Sequence, residues 1–456
     1  MAGIGFELRN LLRRDSLLGL LQAYSYAAII GSGPWVLSIV GILFVGLLSH
    51  AVIVPNFLVT QFQVSVTYLI AGSLILTGPL QLAFTRFISD RLFEKRTDLV
   101  LSNLNGILLF TVAIAGALGV LCGLTLFSGL GVLYRILMLG GFTLLCCVWI
   151  ATILLSGLKR YGAIVALYGA GYGIVVSAAL LARPWGLEGL LGGFVLGQFV
   201  LFVGMWLLVA RHFRSPRLLS FEFALKEYRY PSLMLIGLLY NLGVWADKIM
   251  FWLYPDTATA VIGPLRASVI YDLPVFMAYL FIIPGMAVFL VRIETDFVEF
   301  YDRFYNAVRS GGSLTYIETM RDEMLYAIRQ GLMEIGKIQT LALLIALIAG
   351  PAALQALGIS PLYQPLFNIQ TLGASLQVGL LALLNVFFYL DQRRIVLQVS
   401  VLFALGNIAF TALTLHLGAA WYGYGYCVAT LLALVVGLYQ LDRKLDHLEY
   451  ETFMLQ

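Results

Sequence analysis

Between Tyr230 and Tyr254 the chain reads YPSLMLIGLLYNLGVWADKIMFWLY. That run is long and apolar enough to cross a bilayer, which takes ~20 helical residues at about 1.5 Å each. Inside it stand Asp247 and Lys248, side by side. Counted from Pro231, the helical rise puts them roughly 24 Å up the span. Ions at that depth cost about 2.5–3.5 kcal/mol each on insertion scales, so they face a partner or a water-filled cavity and not lipid. Two readings stay open: a packing ion pair, or a charge lining a transport path. Whatever this chain folds into must shelter that step.

The rest of the sequence puts the same constraint on every segment. Of 456 residues, 61% are hydrophobic and 11% charged, with 45 Gly and 13 Pro. A soluble domain carries about 25% charged residues. The reading is an all-α polytopic membrane protein with about twelve spans, near 24–48, 63–85, 100–126, 134–156, 162–182, 188–210, 231–254, 268–291, 338–358, 368–390, 395–416 and 421–441. With the N-terminus inside, 24 of the 28 Lys and Arg fall on the cytoplasmic side. Only Arg135, Arg183 and Arg266 lie outside, and Lys248 lies in the membrane. This is the asymmetry of the positive-inside rule, so both termini are expected in the cytoplasm. The opening MAGIGFELRNLLRRDSLLGLL lacks a small-residue cleavage site and reads as mature sequence. Cys122, Cys146, Cys147 and Cys427 all sit in apolar spans and read as packing residues.

The halves look related. Phe6-Glu7-Leu8 precedes the first span and Phe221-Glu222-Phe223 the seventh. Span two ends TGPLQLAFTRFISD and span eight ends IIPGMAVFLVRIETD, each with Pro beside Gly, then Arg86 or Arg292, then an acidic residue. Six spans return the chain to the same side, so the repeats are expected to be parallel, related by an axis along the membrane normal. The expected organisation is a six-helix half over 1–210, a cytoplasmic linker over 211–230, a second half over 231–441 with an inner loop over 292–337, and a tail over 442–456.

Several chemistries are missing. No GxxxxGK[ST], HExxH or GxSxG occurs, and His50, His212, His416 and His447 are scattered. Glu294-Thr295-Asp296 reads as a solvated helix flank. No enzyme, cofactor or metal site is expected, and the outer loops are too short for a catalytic domain. The informative residues are polar ones inside spans: Asn241, Gln81, Gln377, Asn385 and Asn407, with Asp272 at the outer start of span eight. Tyr240 and Trp245 are deep enough to stack on sugar faces, whereas Trp421, Tyr422 and Tyr424 read as headgroup belt. In the inner loop, YIETMRDEMLYAIRQGLMEIGK spaces Met320, Met324, Leu325, Ile328, Leu332 and Ile335 as an amphipathic helix. It either lies against the membrane or bundle, or offers Met324 and Ile328 to a cytoplasmic partner.

Consecutive helical positions point about 100° apart, so Asp247 and Lys248 are expected to make a poor direct contact and to find separate partners. On that reading Asp272 pairs with Lys248, and Asp247 faces the cavity.

Twelve spans in two parallel sixes, no nucleotide motif and the Asp247-Lys248 step in span seven resemble the MOP (MATE-type) flippase superfamily, in its polysaccharide-transporter branch. The opening GIGFELR and the Ser32-Gly33-Pro34-Trp35 step are similar to the transporter subunit family of bacterial Pel exopolysaccharide machinery. That resemblance implies an inner-membrane transporter of a polymer rich in N-acetylgalactosamine and galactosamine. It also implies work beside a PelF-like cytoplasmic glycosyltransferase and PelD- and PelE-like membrane subunits. Two other readings remain: an ion-coupled flippase of a lipid-linked oligosaccharide, and a scaffold that anchors the synthase.

Overall fold

A computed structural model describes residues 22–25, 27–28, 56–157, 161–356 and 360–448. The expected first span therefore lies almost wholly outside the described residues, as do the GIGFELR and Ser32–Trp35 motifs.

The described chain is helical almost throughout, because backbone groups in lipid have to be satisfied within the segment itself. Among the described residues, ten helical stretches are long and apolar enough to cross a membrane, and one of them, Gly162–His212, joins two expected spans through a tight turn. Helices α1 (Asn56–Phe93), α2 (Asp98–Thr125), α3 (Val132–Gly157), α4 (Tyr161–Ala182) and α5 (Gly186–His212) come first. Helix α6 (Pro231–Leu253) and a hairpin of β1 (Thr259–Ile262) and β2 (Leu265–Ala267) follow. The chain continues with α7 (Val269–Leu280), α8 (Ile283–Val291), a π turn over Arg292–Phe297, and α9 (Val298–Arg309). It ends with α10 (Leu314–Ala356), α11 (Gln364–Tyr389), α12 (Arg393–Leu417) and α13 (Tyr424–Asp446).

These elements form two compact units. The N-terminal unit takes Gly33–Trp245 and Phe251–Val269; the C-terminal unit takes Ala246–Met250, Ile270 onward and the described residues before 33. The N-terminal unit has a core of large rings, including Phe62, Phe84, Phe87, Tyr134, Tyr168 and Phe194. Helices α1 and α6 cross so closely that a Cβ on Gly237 would lie 2.1 Å from the Gly78 carbonyl oxygen. The 211–230 linker is strapped onto this unit. Ser220 N–H donates to the Ser102 carbonyl at 3.0 Å, Asn105 Nδ2 to the Leu218 carbonyl at 2.9 Å, and the Arg91 guanidinium lies 4.3 Å over the Tyr228 ring. Tyr68 Oη and Gln61 Nε2 fasten the hairpin to α1 through the Arg266 and Val261 carbonyls.

In the C-terminal unit the 292–337 segment is mostly helical, with the expected helix in its second half. It is the π turn, α9, a turn at Ser310–Ser313 and the first half of a continuous α10. Met324 and Ile328 are fully buried, and α10 packs on α8, the π turn and α9. Of the two readings left open for this stripe, packing within the bundle is the one seen, with α8, the π turn and α9 lying against α10. Glu294, expected in solvent, is turned inward and only 7% exposed. Tyr422 is buried, while Trp421 and Tyr424 keep the exposure expected of a belt.

Candidate functional site

The C-terminal unit contains a broken helix. Pro284 lacks an N–H, and the chain turns at Phe281–Ile282 between α7 and α8. Gln339 Nε2 on α10 takes up the Phe281 carbonyl at 2.9 Å and Ser375 Oγ at 3.0 Å. Gln339 Oε1 lies where a Cβ on Gly285 would come within 2.1 Å, so the approach needs glycine there. Such breaks persist at membrane depth where a neighbour satisfies the freed backbone group.

α7 and α11–α13 converge on the charged step of α6. Asp247 and Lys248 belong to this unit and are 0% and 5% exposed. Lys248 Nζ lies 3.1 Å from both oxygens of Asp247. The expectation of a poor contact is thus corrected: the four-carbon lysine stem folds back far enough to overcome the 100° divergence of the Cβ directions. Asp247 Oδ2 also accepts Tyr271 Oη at 2.5 Å, and Oδ1 accepts Asn407 Nδ2 at 3.2 Å. Gln370 Nε2 in turn donates to Tyr271 Oη at 2.6 Å, and Thr411 Oγ1 to Asn407 Oδ1 at 2.9 Å.

The ammonium has its own surroundings. It donates to Tyr279 Oη at 3.4 Å and lies 5.2 Å and 4.9 Å from the ring centroids of Tyr279 and Tyr426. Both phenols donate to Gln377 Oε1, at 3.1 and 2.5 Å. Cation–π contact and the carboxylate together offset the desolvation of the ammonium. The result is a neutral pair in a saturated polar shell, not a carboxylate open to an aqueous cavity.

The other predicted residues are dispersed. Asp272 is half-buried in the first turn of α7. Asn241, Tyr240, Trp245 and Gln81 belong to the N-terminal unit. Asn241 Nδ2 bonds the Gly237 carbonyl, Gln81 Nε2 bonds Thr77 Oγ1, and the Trp245 ring packs on Trp252, which stacks on Tyr68. Asn385 joins a second polar cluster of the C-terminal unit. Its Nδ2 donates to Glu294 Oε1 at 2.9 Å, and Tyr389 Oη donates to Oε2 at 2.8 Å. Among the described residues no group of His, Cys, Asp and Glu is arranged to hold a metal ion.

Tyr271, Tyr279, Gln370 and Tyr426 were missed as site residues. A signal existed for part of the set. Gln370 and Gln377 are seven apart on α11, and Asn407, Thr411 and Thr414 repeat at four and three on α12, so each series lines one helical face.

Comparison with known proteins agrees with this architecture. The sequence profile of the PelG exopolysaccharide exporters (EPS-E) matches residues 1–453. No functionally curated protein matches the chain. Among solved structures, an outward-facing multidrug-resistance MATE transporter of the MOP superfamily is similar with a TM-score of 0.68 at 14% identity, covering 94% of this chain and 96% of that one. A MATE protein in a bent conformation is similar with 0.62 at 15%, covering 98% of both. A MOP superfamily transporter from Pyrococcus furiosus, whose structure points to a binding pocket of reversed polarity, is similar with 0.60 at 14%, covering 93% and 96%. At these identities the likeness is one of fold.

Proposed function

The chain belongs to the PelG family of exopolysaccharide exporters, and from that premise we propose that it carries a growing polysaccharide across the bacterial inner membrane, from cytoplasm to periplasm. The observation that carries this reading is the family match over 1–453 on a multi-pass chain with a MATE-type transporter fold. The charge asymmetry of the sequence supports cytoplasmic termini.

The finer reading is that the polymer is Pel, rich in N-acetylgalactosamine and galactosamine, and destined for the biofilm matrix. A PelF-like glycosyltransferase supplies it from the cytoplasm, with PelD- and PelE-like subunits in the membrane. The chain's own part is passage and not synthesis. Within that part the Asp247–Lys248 step lies inside the C-terminal unit, where residues of α7, α11 and α12 enclose it in one shell of hydrogen bonds.

A strain that lacks this chain but keeps the glycosyltransferase tests the reading. It should accumulate polymer inside and release none to the periplasm. Normal periplasmic polymer in that strain refutes export. Withdrawal of polyprenyl phosphate in the complemented strain separates free polymer, whose export continues, from a lipid-linked oligosaccharide, whose export stops.

A further inference from the structure

The 211–230 linker, expected to lie in the cytoplasm, doubles back along the helices it leaves. After α5 ends at His212 it returns to α2, where Ser220 N–H meets the Ser102 carbonyl and Asn105 Nδ2 the Leu218 carbonyl. Phe223 N–H continues the seam onto Asn103 Oδ1 at 3.4 Å. Asn105 stands seven residues after Asp98, roughly 10 Å along α2 from its charged start. Trp206 Nε1 donates to Asn105 Oδ1 at 2.9 Å from six residues before the end of α5, roughly 9 Å inside it. Two helices thus give the same depth for Leu218–Ser220. It is the depth at which interfacial segments seat their apolar side chains, about 5–10 Å into the boundary of headgroups and acyl chains.

The strap turns bulky apolar groups outward at that level. Leu218 is 84% exposed, Leu219 and Phe221 are exposed beside it, and Phe93 at the end of α1 is 82% exposed. Cations are interleaved with them. Arg211, Arg214, Arg217, Lys226 and Arg229 are all exposed, against Glu227 as the exposed acid of the segment. Arginine and lysine stems lie along apolar surface while their heads reach the phosphate layer, and a Trp such as Trp206 is typical of the same zone. A cluster of about four to eight such cations directly beside a membrane helix attracts anionic lipid.

We propose that the linker is an interfacial strap that binds anionic phospholipid. Leu218, Leu219 and Phe221 enter the boundary of headgroups and acyl chains, and Arg214 and Arg217 hold lipid phosphates. The leaflet is the inner one on the orientation proposed above, and the strap's role does not depend on which polymer the chain carries. Depth and charge together favour lipid over a soluble partner as the occupant of this face.

The test uses the purified full chain with Leu218→Cys carrying a nitrobenzoxadiazole label. Cys146, Cys147 and Cys427 are buried, and Cys122→Ser removes the remaining thiol. The protein is reconstituted into vesicles of equal parts phosphatidylcholine and phosphatidylglycerol. A small fraction of one lipid or the other carries a nitroxide near the top of its acyl chain. Nitroxide phosphatidylglycerol should quench the label about fivefold more effectively than nitroxide phosphatidylcholine, the factor that one basic residue contributes near an anionic surface. Arg214→Gln with Arg217→Gln should bring that ratio close to unity while the label stays quenched. A label quenched by neither lipid lies in water or under protein and overturns the proposal. Equal quenching by both lipids, or a preference that survives loss of both arginines, overturns it as well. If labelled Leu218→Cys does not fold, Leu219→Cys is read in the same way.

Discussion

Lys248 Nζ sits 3.1 Å from each carboxylate oxygen of Asp247, the residue directly before it, and neither side chain is open to solvent. The pair is neutral as a unit, so breaking it is more costly than never having built it.

Lys248→Met should strand the carboxylate and Asp247→Asn the ammonium. Each single change should lower stability by about 3–5 kcal/mol, read as loss of membrane-inserted protein and of thermal stability in detergent. The double variant should recover part of that loss, with a coupling of about 1–3 kcal/mol. Strictly additive losses would show that the two groups do not depend on each other.

Tyr271→Phe removes the 2.5 Å bond to Asp247 and leaves Gln370 Nε2 without its acceptor in the fully buried shell. Burial of an unsatisfied amide costs about 1–3 kcal/mol. Thermal unfolding of the purified variant should shift down accordingly. A variant that melts with the wild type would mean the shell rearranges freely around the pair.

Met324→Glu or Ile328→Glu puts a carboxylate in a fully buried position of α10. Either should cost about 3–5 kcal/mol and reduce protein level, with any loss of partner binding secondary to that. Tyr326→Glu, at a position 67% exposed on the same helix, should leave level and melting unchanged. Normal abundance of the Met324 variant would place that stripe at the surface after all.

Much of the fold was legible in the sequence, because a membrane segment announces itself by length and hydropathy alone. Asp247 and Lys248 were legible for the same reason, since two charges in such a run have to be sheltered. Their partners were not. Tyr271, Gln370 and Asn407 come from three further helices, and only tertiary packing brings them to one carboxylate. The Met324–Ile328 stripe shows that something covers this face of α10 but not what, and the cover turned out to be the same unit. Glu294 misled by its charge, because its buried carboxylate is satisfied by Asn385 and Tyr389, which the sequence does not place beside it.

The contact between α1 and α6 gives a sharper packing test. Gly237→Ala drives a Cβ to 2.1 Å from the Gly78 carbonyl oxygen, a backbone atom that cannot swing away. The expected cost is about 1–3 kcal/mol. Gly116→Ala, with nothing within 4 Å of the new Cβ, should be neutral or slightly stabilising. Equal melting of the two variants would contradict the close crossing.

The most direct test of the export account uses inside-out membrane vesicles that contain the glycosyltransferase, its membrane partners and this chain, supplied with nucleotide-activated sugar. Newly made polymer is then challenged with an added glycosidase that cannot cross the membrane. The account predicts that the polymer is protected inside the lumen when the chain is present, and is fully digested when the chain is left out. Polymer protected to the same extent without the chain would contradict it.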